Sequence, residues 1–512
     1  MPIWEKYLSP ESRIWPALAL FLVFFAALAA IQFATPDLAD NDGFYHIRFA
    51  EIMRTDGLKP DFPWLPLTVL NSREFYDHHF LFHVAQIPFT FGDLRLGAKL
   101  SAVLFASLAF LAVWWLLRQQ NIRFAALWAL GLLAVSEAFL YRMSIPRAQS
   151  LSLLVLVFGF HWILQGRYKL LLPLAFVYVW MYDAFPLLLF LGGIYTVAAW
   201  LIERKLVLQP LIYIGIGTLL GVLVNPYFPD NLVFITRHLL PKLSNATSTS
   251  VGSEWYPYTT GQLLENSLLA IVIFFFGVLA LGLSGKKMDT RTAASLLMAV
   301  FFGLLLFQSR RFIEYFPPFG LIFAAFAWQP IIDAHRATRI LSQPSGSKYL
   351  PANLNPRFMV SILAVLIILG AGIFFSVQDA RTSMRQSKPY TLYAGASAWL
   401  AANTNPGERV FQTDWDDFPR LFYYNTHNTY LIGLDPTYMQ LYDEKMYDDW
   451  VNITQGEVAQ PSAAIRDKFD ATVVVSDLRH GDFIQRAEED PGMVEVYRDD
   501  ESLVYRIVLA GE

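Results

Sequence analysis

Asp40-Asn41-Asp42-Gly43-Phe44-Tyr45-His46 stands just past the first long apolar run of the chain, Ile14 to Ala34. A run of that length crosses a bilayer as one helix, so this stretch marks where the chain leaves the membrane. Asp37, Asp40 and Asp42 crowd their carboxylates together there. Such groups repel one another unless a cation or a proton intervenes, and at a membrane surface that points to a metal or substrate site. Asp and Asn also suit a helix cap, with Phe44 to Met53 as the helix.

The whole chain agrees with a membrane reading. Of its 512 residues 55% are hydrophobic and only 16% charged, the composition of a polytopic membrane protein. The 14 Trp and 24 Tyr suit anchoring at membrane interfaces. A net charge of -4 argues against nucleic acid as a partner. With no cysteine, thiol catalysis, disulfides and Cys-ligated zinc are excluded.

About eleven apolar spans are expected: 14–34, 96–117, 123–141, 149–165, 169–182, 185–203, 207–224, 264–284, 292–308, 312–328 and 359–377. Phe80 to Phe91 reads as a re-entrant or interfacial piece. With the N-terminus inside, the short inner loops hold Arg118 and Arg123, Arg167 and Lys169, Arg204 and Lys205, and Lys286, Lys287 and Arg291. The last inner loop adds Arg336, Arg339, Lys348 and Arg357. Every short inner loop is then basic, as the positive-inside rule requires.

That orientation leaves 35–95, 142–148, 183–184, 225–263, 309–311 and the tail on the outer side. These segments carry Asp42, Asp77, His78, His79, Arg142, Arg147, Asp183, Glu254, Arg310 and Arg311. A transporter more often keeps its ionisable groups near the bilayer midplane, on broken helices. Gathered on one face, they suit an enzyme working at the outer surface. In Phe75-Tyr76-Asp77-His78-His79-Phe80, Asp77 and His79 can bind a metal or position a phosphate, or simply order an interfacial loop. In Thr249-Ser250-Val251-Gly252-Ser253-Glu254-Trp255-Tyr256-Pro257 the Gly and Pro exclude a regular helix, and aromatics beside Glu254 favour an ordered loop.

The tail, 378–512, reads as a soluble α/β domain, distinct from the membrane module 1–377 with its long outer loops 35–95 and 225–263. Ala394 to Asn403 is expected to be a helix, Ala471 to Ser476 a buried strand, and Val494 to Arg498 with Ser502 to Val508 a hairpin. The aromatic, acidic segment Asp414 to Tyr442 suits sugar binding, although the pair Tyr423 and Tyr424 reads better as core.

These residues resemble a family. Asn41-Asp42-Gly43-Phe44-Tyr45 is similar to the first acidic motif of the GT-C glycosyltransferases, in particular the single-subunit oligosaccharyltransferases. Ser250-Val251-Gly252-Ser253-Glu254 resembles their external-loop motif, with one extra residue before the acid. Arg311-Phe312 resembles their acceptor-contacting arginine, and Trp415-Asp416-Asp417-Phe418 their acceptor-recognition motif. The order along the chain is the family's. The resemblance implies a GT-C-like polytopic helical protein of a bacterial cytoplasmic membrane. It would take a sugar or glycan from a polyprenyl-phosphate-linked donor to a protein, glycan or lipid acceptor.

On that basis Asp42, Asp77 and Glu254 are the expected catalytic residues. Asp42 and Glu254 are the expected ligands of a divalent cation, Mg²⁺ or Mn²⁺. His79, Arg142, Arg147, Arg310, Arg311, Trp415, Asp416 and Asp417 are the expected substrate-binding residues, and Asp42 or Asp77 the acceptor of the nucleophile's proton. The sequence also departs from the family. Where a second acidic motif is expected, Tyr141-Arg142-Met143-Ser144-Ile145-Pro146-Arg147-Ala148-Gln149 carries no acid, and its arginines can hold a phosphate directly. The Trp-Asp-Asp-Phe segment lacks the paired tryptophans and following glycine. Transfer to protein Asn, a metal-independent transferase, a noncatalytic glycolipid-binding protein and a transporter are the alternatives.

Overall fold

A computed structural model describes residues 14–239, 252–341 and 356–508. Ser250 and Val251 of the external-loop motif lie outside the described residues. In chain order the main helices of the first part are α1 (Ile14–Gln32), α2 (Asp42–Asp56), α3 (Phe80–Gln86), α4 (Leu94–Gln119), α5 (Glu137–Ser144), α6 (Gln149–Leu164) and α7 (Leu171–Met181). There follow α8 (Pro186–Glu203), α9 (Gln209–Leu223), α10 (Thr260–Ser284), α11 (Thr290–Gln308), α12 (Phe316–Leu341) and α13 (Pro356–Arg385).

Every span read from the sequence is helical, but the lengths are unequal. Among the described residues, six helices are long and apolar enough to cross a membrane, or seven if the bent pair Ala125–Leu133 with α5 is one span: α1, α4, α8, α10, α11 and the Leu363–Arg385 part of α13. The protein is an integral membrane protein. α6, α7 and α9 are shorter apolar helices. The expected span 123–141 is broken, because Ala125–Leu133 and α5 meet at 84°. Ser136 makes the break by capping α5, its hydroxyl accepting from Phe139 N at 3.1 Å. The bend delivers Arg142 to the end of the bundle. α12 is buried on all sides from Phe316 to Ala327, which is why its apolar residues show no single face.

Small residues set the helix spacing. A Cβ at Gly217 of α9 would collide with the carbonyl oxygen of Leu172 in α7, and one at Gly221 would lie 2.9 Å from Val179 Cβ. Two glycines one turn apart let these backbones touch, the usual device where lipid supplies no hydrophobic drive.

The tail carries a five-stranded sheet of β1 (Arg409–Gln412), β2 (Thr429–Tyr430), β3 (Val473–Asp477), β4 (Met493–Arg498) and β5 (Ser502–Ile507), in the order β2-β1-β3-β5-β4. β1 pairs in parallel with β2 and β3, while β5 runs antiparallel to β3 and β4. β3 is buried along its whole length, as its run of valines requires. A helix occupies Ala394–Asn403, as expected. α13 runs on to Arg385, past the boundary at 377 read from the sequence.

The segment read as the first outer loop joins the two parts. Tyr45 and Phe49 of α2, with Phe62 and Phe75, share one core with Phe418, Phe422 and Val504 of the tail. Asn41 bridges the junction, donating from Nδ2 to Asp416 O at 2.9 Å and to Asp416 Oδ2 at 2.6 Å. Its Oδ1 accepts from Arg420 Nε at 2.7 Å. Arg420, only 1% exposed, also donates to Pro389 O at 2.7 Å and stacks 4.4 Å from the Phe44 ring. A buried guanidinium with this many partners fixes the tail against the mouth of the bundle.

Candidate active site

The segments read as outer loops converge on a cavity of about 580 Å³ at one end of the bundle. Its wall includes Asp40, Asp42, His46, His79, Arg142, Arg147, Tyr182, Glu254, Arg311, Trp415 and Asp416. Asp42 opens α2, where a carboxylate favours the helix dipole. Asp40 adopts a left-handed backbone, φ 76°, which short polar side chains tolerate. Gly43 has a packing role: a Cβ there would collide with Pro146 Cγ, so glycine lets α2 approach the loop that carries Arg147. Gly43→Ala is expected to cost about 1–3 kcal/mol of stability by overpacking. A lowered unfolding temperature with reduced activity checks this.

The centre is an interlocked charge cluster. The guanidinium of Arg147 contacts Asp40 through Nε and through Nη2, the latter at 2.5 Å from Oδ1. The same Nη2 lies 3.0 Å from Asp42 Oδ2, and Nη1 lies 3.2 Å from Glu254 Oε2. Arg142 Nη1 donates to Glu254 Oε2 at 2.7 Å, and its Nε donates to Glu314 Oε1 at 2.9 Å. Arg311 Nη1 reaches Glu254 Oε1 at 3.3 Å, its Nη2 contacts the Tyr182 hydroxyl, and its guanidinium lies 4.9 Å from the Trp255 ring. Glu254 is therefore the hub of three arginines.

Burial opposes ionisation of Glu254, but Arg142, Arg147 and Arg311 outweigh it and hold its carboxyl well below the usual range. Asp42 behaves in the opposite way. Burial pushes it up to about 7; Arg147 alone pulls down, while Asp40, Asp416 and Glu254 add to the rise. Asp416 is pushed up to about 6, by burial first and then by Asp414 and Asp40.

Asp42 and Glu254, expected to share a divalent cation, are joined instead by Arg147. Its guanidinium lies between them, and Arg142, Arg147 and Arg311 already balance most of the charge of Asp40, Asp42, Glu254 and Glu314. These residues do not fit a resident Mg²⁺ or Mn²⁺, because adding one would face it with a guanidinium at ligand range. Among the described residues, the acids whose ligand atoms converge are Asp414, Asp417 and Asp477, all within 4.8 Å of one another. Arg479 contacts Asp477 and lies 3.6 Å from Asp414, and His480 Nδ1 lies 2.6 Å from Asp477.

Three expected residues, Asp77, Arg310 and Asp417, stand away from the cavity wall. Asp77, 2% exposed, lies behind His83 and His46, and so does not line the cavity. Arg310 lines a neighbouring pocket, donating to Pro257 O at 3.2 Å and Gln262 Oε1 at 3.3 Å. Asp417 is buried beneath Trp415 and Asp416, where burial and Asp414 raise its carboxyl well above the usual range. Three participants were not singled out from the sequence: Glu314, His46 and His83. For His46 a signal existed, since it lies one helical turn from Asp42 and shares its face.

No protein-family model and no curated protein matches the sequence. Solved structures do match its fold. The oligosaccharyltransferase of Archaeoglobus fulgidus superposes with a TM-score of 0.64 at 15% identity, over 100% of this chain and 76% of that one. ArnT from Cupriavidus metallidurans, bound to undecaprenyl phosphate, gives 0.58 at 16% identity over 96% and 98% of the two chains. The mycobacterial arabinofuranosyltransferase AftD gives 0.55 at 14% identity over 97% and 42%. From its bundle to its small sheet domain, the chain shares the fold of these solved membrane proteins over nearly all its length.

Proposed function

We propose that the protein transfers a sugar or glycan from a polyprenyl-phosphate-linked donor to an acceptor at the outer membrane face. The N-terminus would be inside and the tail outside a bacterial cytoplasmic membrane. The observation that carries this is the convergence of Arg142, Arg147 and Arg311 with Asp42 in one cavity at the end of the bundle. Planar, paired donors suit phosphate oxygens, and a nearby carboxylate suits the positive charge that develops at a sugar carbon. An apolar groove of about 580 Å³ between α8 and α11, lined by Phe190, Val197, Val300 and Leu304, adds support. α11 leads straight into Arg310-Arg311, so a prenyl tail in the groove would bring its phosphate toward the arginines.

In this reading the acceptor nucleophile attacks the sugar carbon while the bond to the phosphate oxygen breaks, its electron pair leaving on phosphate. The three arginines neutralise that charge, and Glu254 holds them in register. Asp42 stabilises the positive sugar carbon. A single displacement inverts the configuration. Trp415 and Asp416, lining the cavity, would meet the acceptor.

The purified chain in lipid vesicles, supplied with polyprenyl-phosphate- and pyrophosphate-linked sugars, is expected to release the free lipid phosphate. No release with any of them would sink the proposal. Likeness to the Archaeoglobus oligosaccharyltransferase along the full chain supports a second reading, transfer to protein Asn. Glycosylation of Asn-X-Thr peptides in the same assay decides between acceptors. Since Asp42 and Glu254 do not fit a resident cation, EDTA is expected to change the rate by less than about twofold. A loss above about tenfold, restored by Mn²⁺, would overturn this.

A further inference from the structure

Behind the cavity wall runs a buried chain of three side chains that the charge cluster does not use. Asp77 Oδ2 lies 2.8 Å from His83 Nδ1, and His83 Nε2 lies 2.8 Å from His46 Nδ1. Asp77, His83 and His46 are 2%, 0% and 3% exposed. Asp77 Oδ1 also accepts from the His79 backbone N at 3.0 Å. A carboxylate accepting on both oxygens dictates the protons of the others. A neutral His83 donates from Nδ1 to that carboxylate, which leaves its Nε2 as a lone pair. His46 must then donate from Nδ1, which leaves Nε2 bare on the far edge of a ring that lines the cavity.

We propose that His46 is the general base of the transfer reaction, with His83 and Asp77 as positioning residues that fix its tautomer and take up its charge. This rests on the proposed transfer. The acceptor O–H or N–H bond breaks, its hydrogen passes to His46 Nε2, and the freed electron pair forms the new bond to the sugar carbon. The Nδ1 proton of His46 moves in turn to His83 Nε2, so the imidazolium forms beside Asp77. Burial and the neighbouring His83, Arg147 and His78 hold His46 itself far below the ordinary histidine range, so it stays neutral between turnovers. Alone it would be a poor base; the relay carries the charge to the one carboxylate prepared for it. The acceptor atom is therefore one that carries a proton to lose.

The chain can be tested by substitution at both ends. His46→Gln is expected to lower kcat by about 10²–10³-fold with donor KM unchanged. Asp77→Asn, which touches no substrate, is expected to lower kcat comparably. Nitrogen-15 NMR of histidine-labelled protein is expected to show His46 protonated at Nδ1 in the wild type and at Nε2 in Asp77→Asn. That readout needs no substrate. Wild-type transfer with His46→Gln retaining more than about a third of kcat would overturn the assignment while leaving the transferase reading intact. An Nε2–H tautomer or an imidazolium at His46 in the resting wild type would overturn it too. Absence of transfer by the wild type would refute the transferase reading instead.

Discussion

Asp42→Asn is expected to lower transfer about a thousandfold or more while the protein keeps its fold. Asparagine preserves size and a hydrogen-bonding edge, so the unfolding temperature should move little. What it loses is the negative charge beside the reacting carbon. The wild-type pH dependence follows from the same group. Because burial lifts Asp42 to about 7 and Arg147 only partly offsets it, the carboxylate is half formed near neutrality. The rate should therefore rise as pH passes through about 7 and level off above it. Activity that is flat from pH 6 to 8, or an Asp42→Asn variant within about tenfold of wild type, would refute the role.

Arg147→Lys is expected to be nearly as damaging, at about 10²–10³-fold. Lysine keeps the charge but not the fork. Arg147 addresses Asp40 with Nε and Nη2, Asp42 with Nη2 and Glu254 with Nη1, and a single ammonium cannot hold all three. The loss leaves partly buried carboxylates unpaired, so a stability cost of about 3 kcal/mol is expected as well. Arg147→Met goes further. It removes the one strong influence pulling Asp42 down, so any residual activity should show its rising limb shifted above pH 7. An unmoved limb would separate the pH dependence from the Asp42–Arg147 pair.

Much of this protein was legible in its sequence. The apolar stretches are helical in the structure. Asp42, Arg142, Arg147, Glu254, Arg311, Trp415 and Asp416 do share one cavity. The tail helix at Ala394–Asn403 and the terminal hairpin fall where periodicity and turn residues put them. These are local properties, since apolar length and period need no knowledge of neighbours.

The partners were not local. Asp40 is only a loop acid until Arg147, over a hundred residues on, closes on it. Glu314 looks like a charge at a span end until it meets Arg142. Asp42 and Glu254 were matched as cation ligands, and only folding brings Arg147 between them. Asp77 was expected at the substrate, yet packing sets two imidazoles in front of it. Sequence alone determined that this chain spans a membrane, because hydrophobicity is written residue by residue. Tertiary structure alone decided which charges neutralise which, because a guanidinium's partners depend on distances of about 3 Å between segments far apart in the chain.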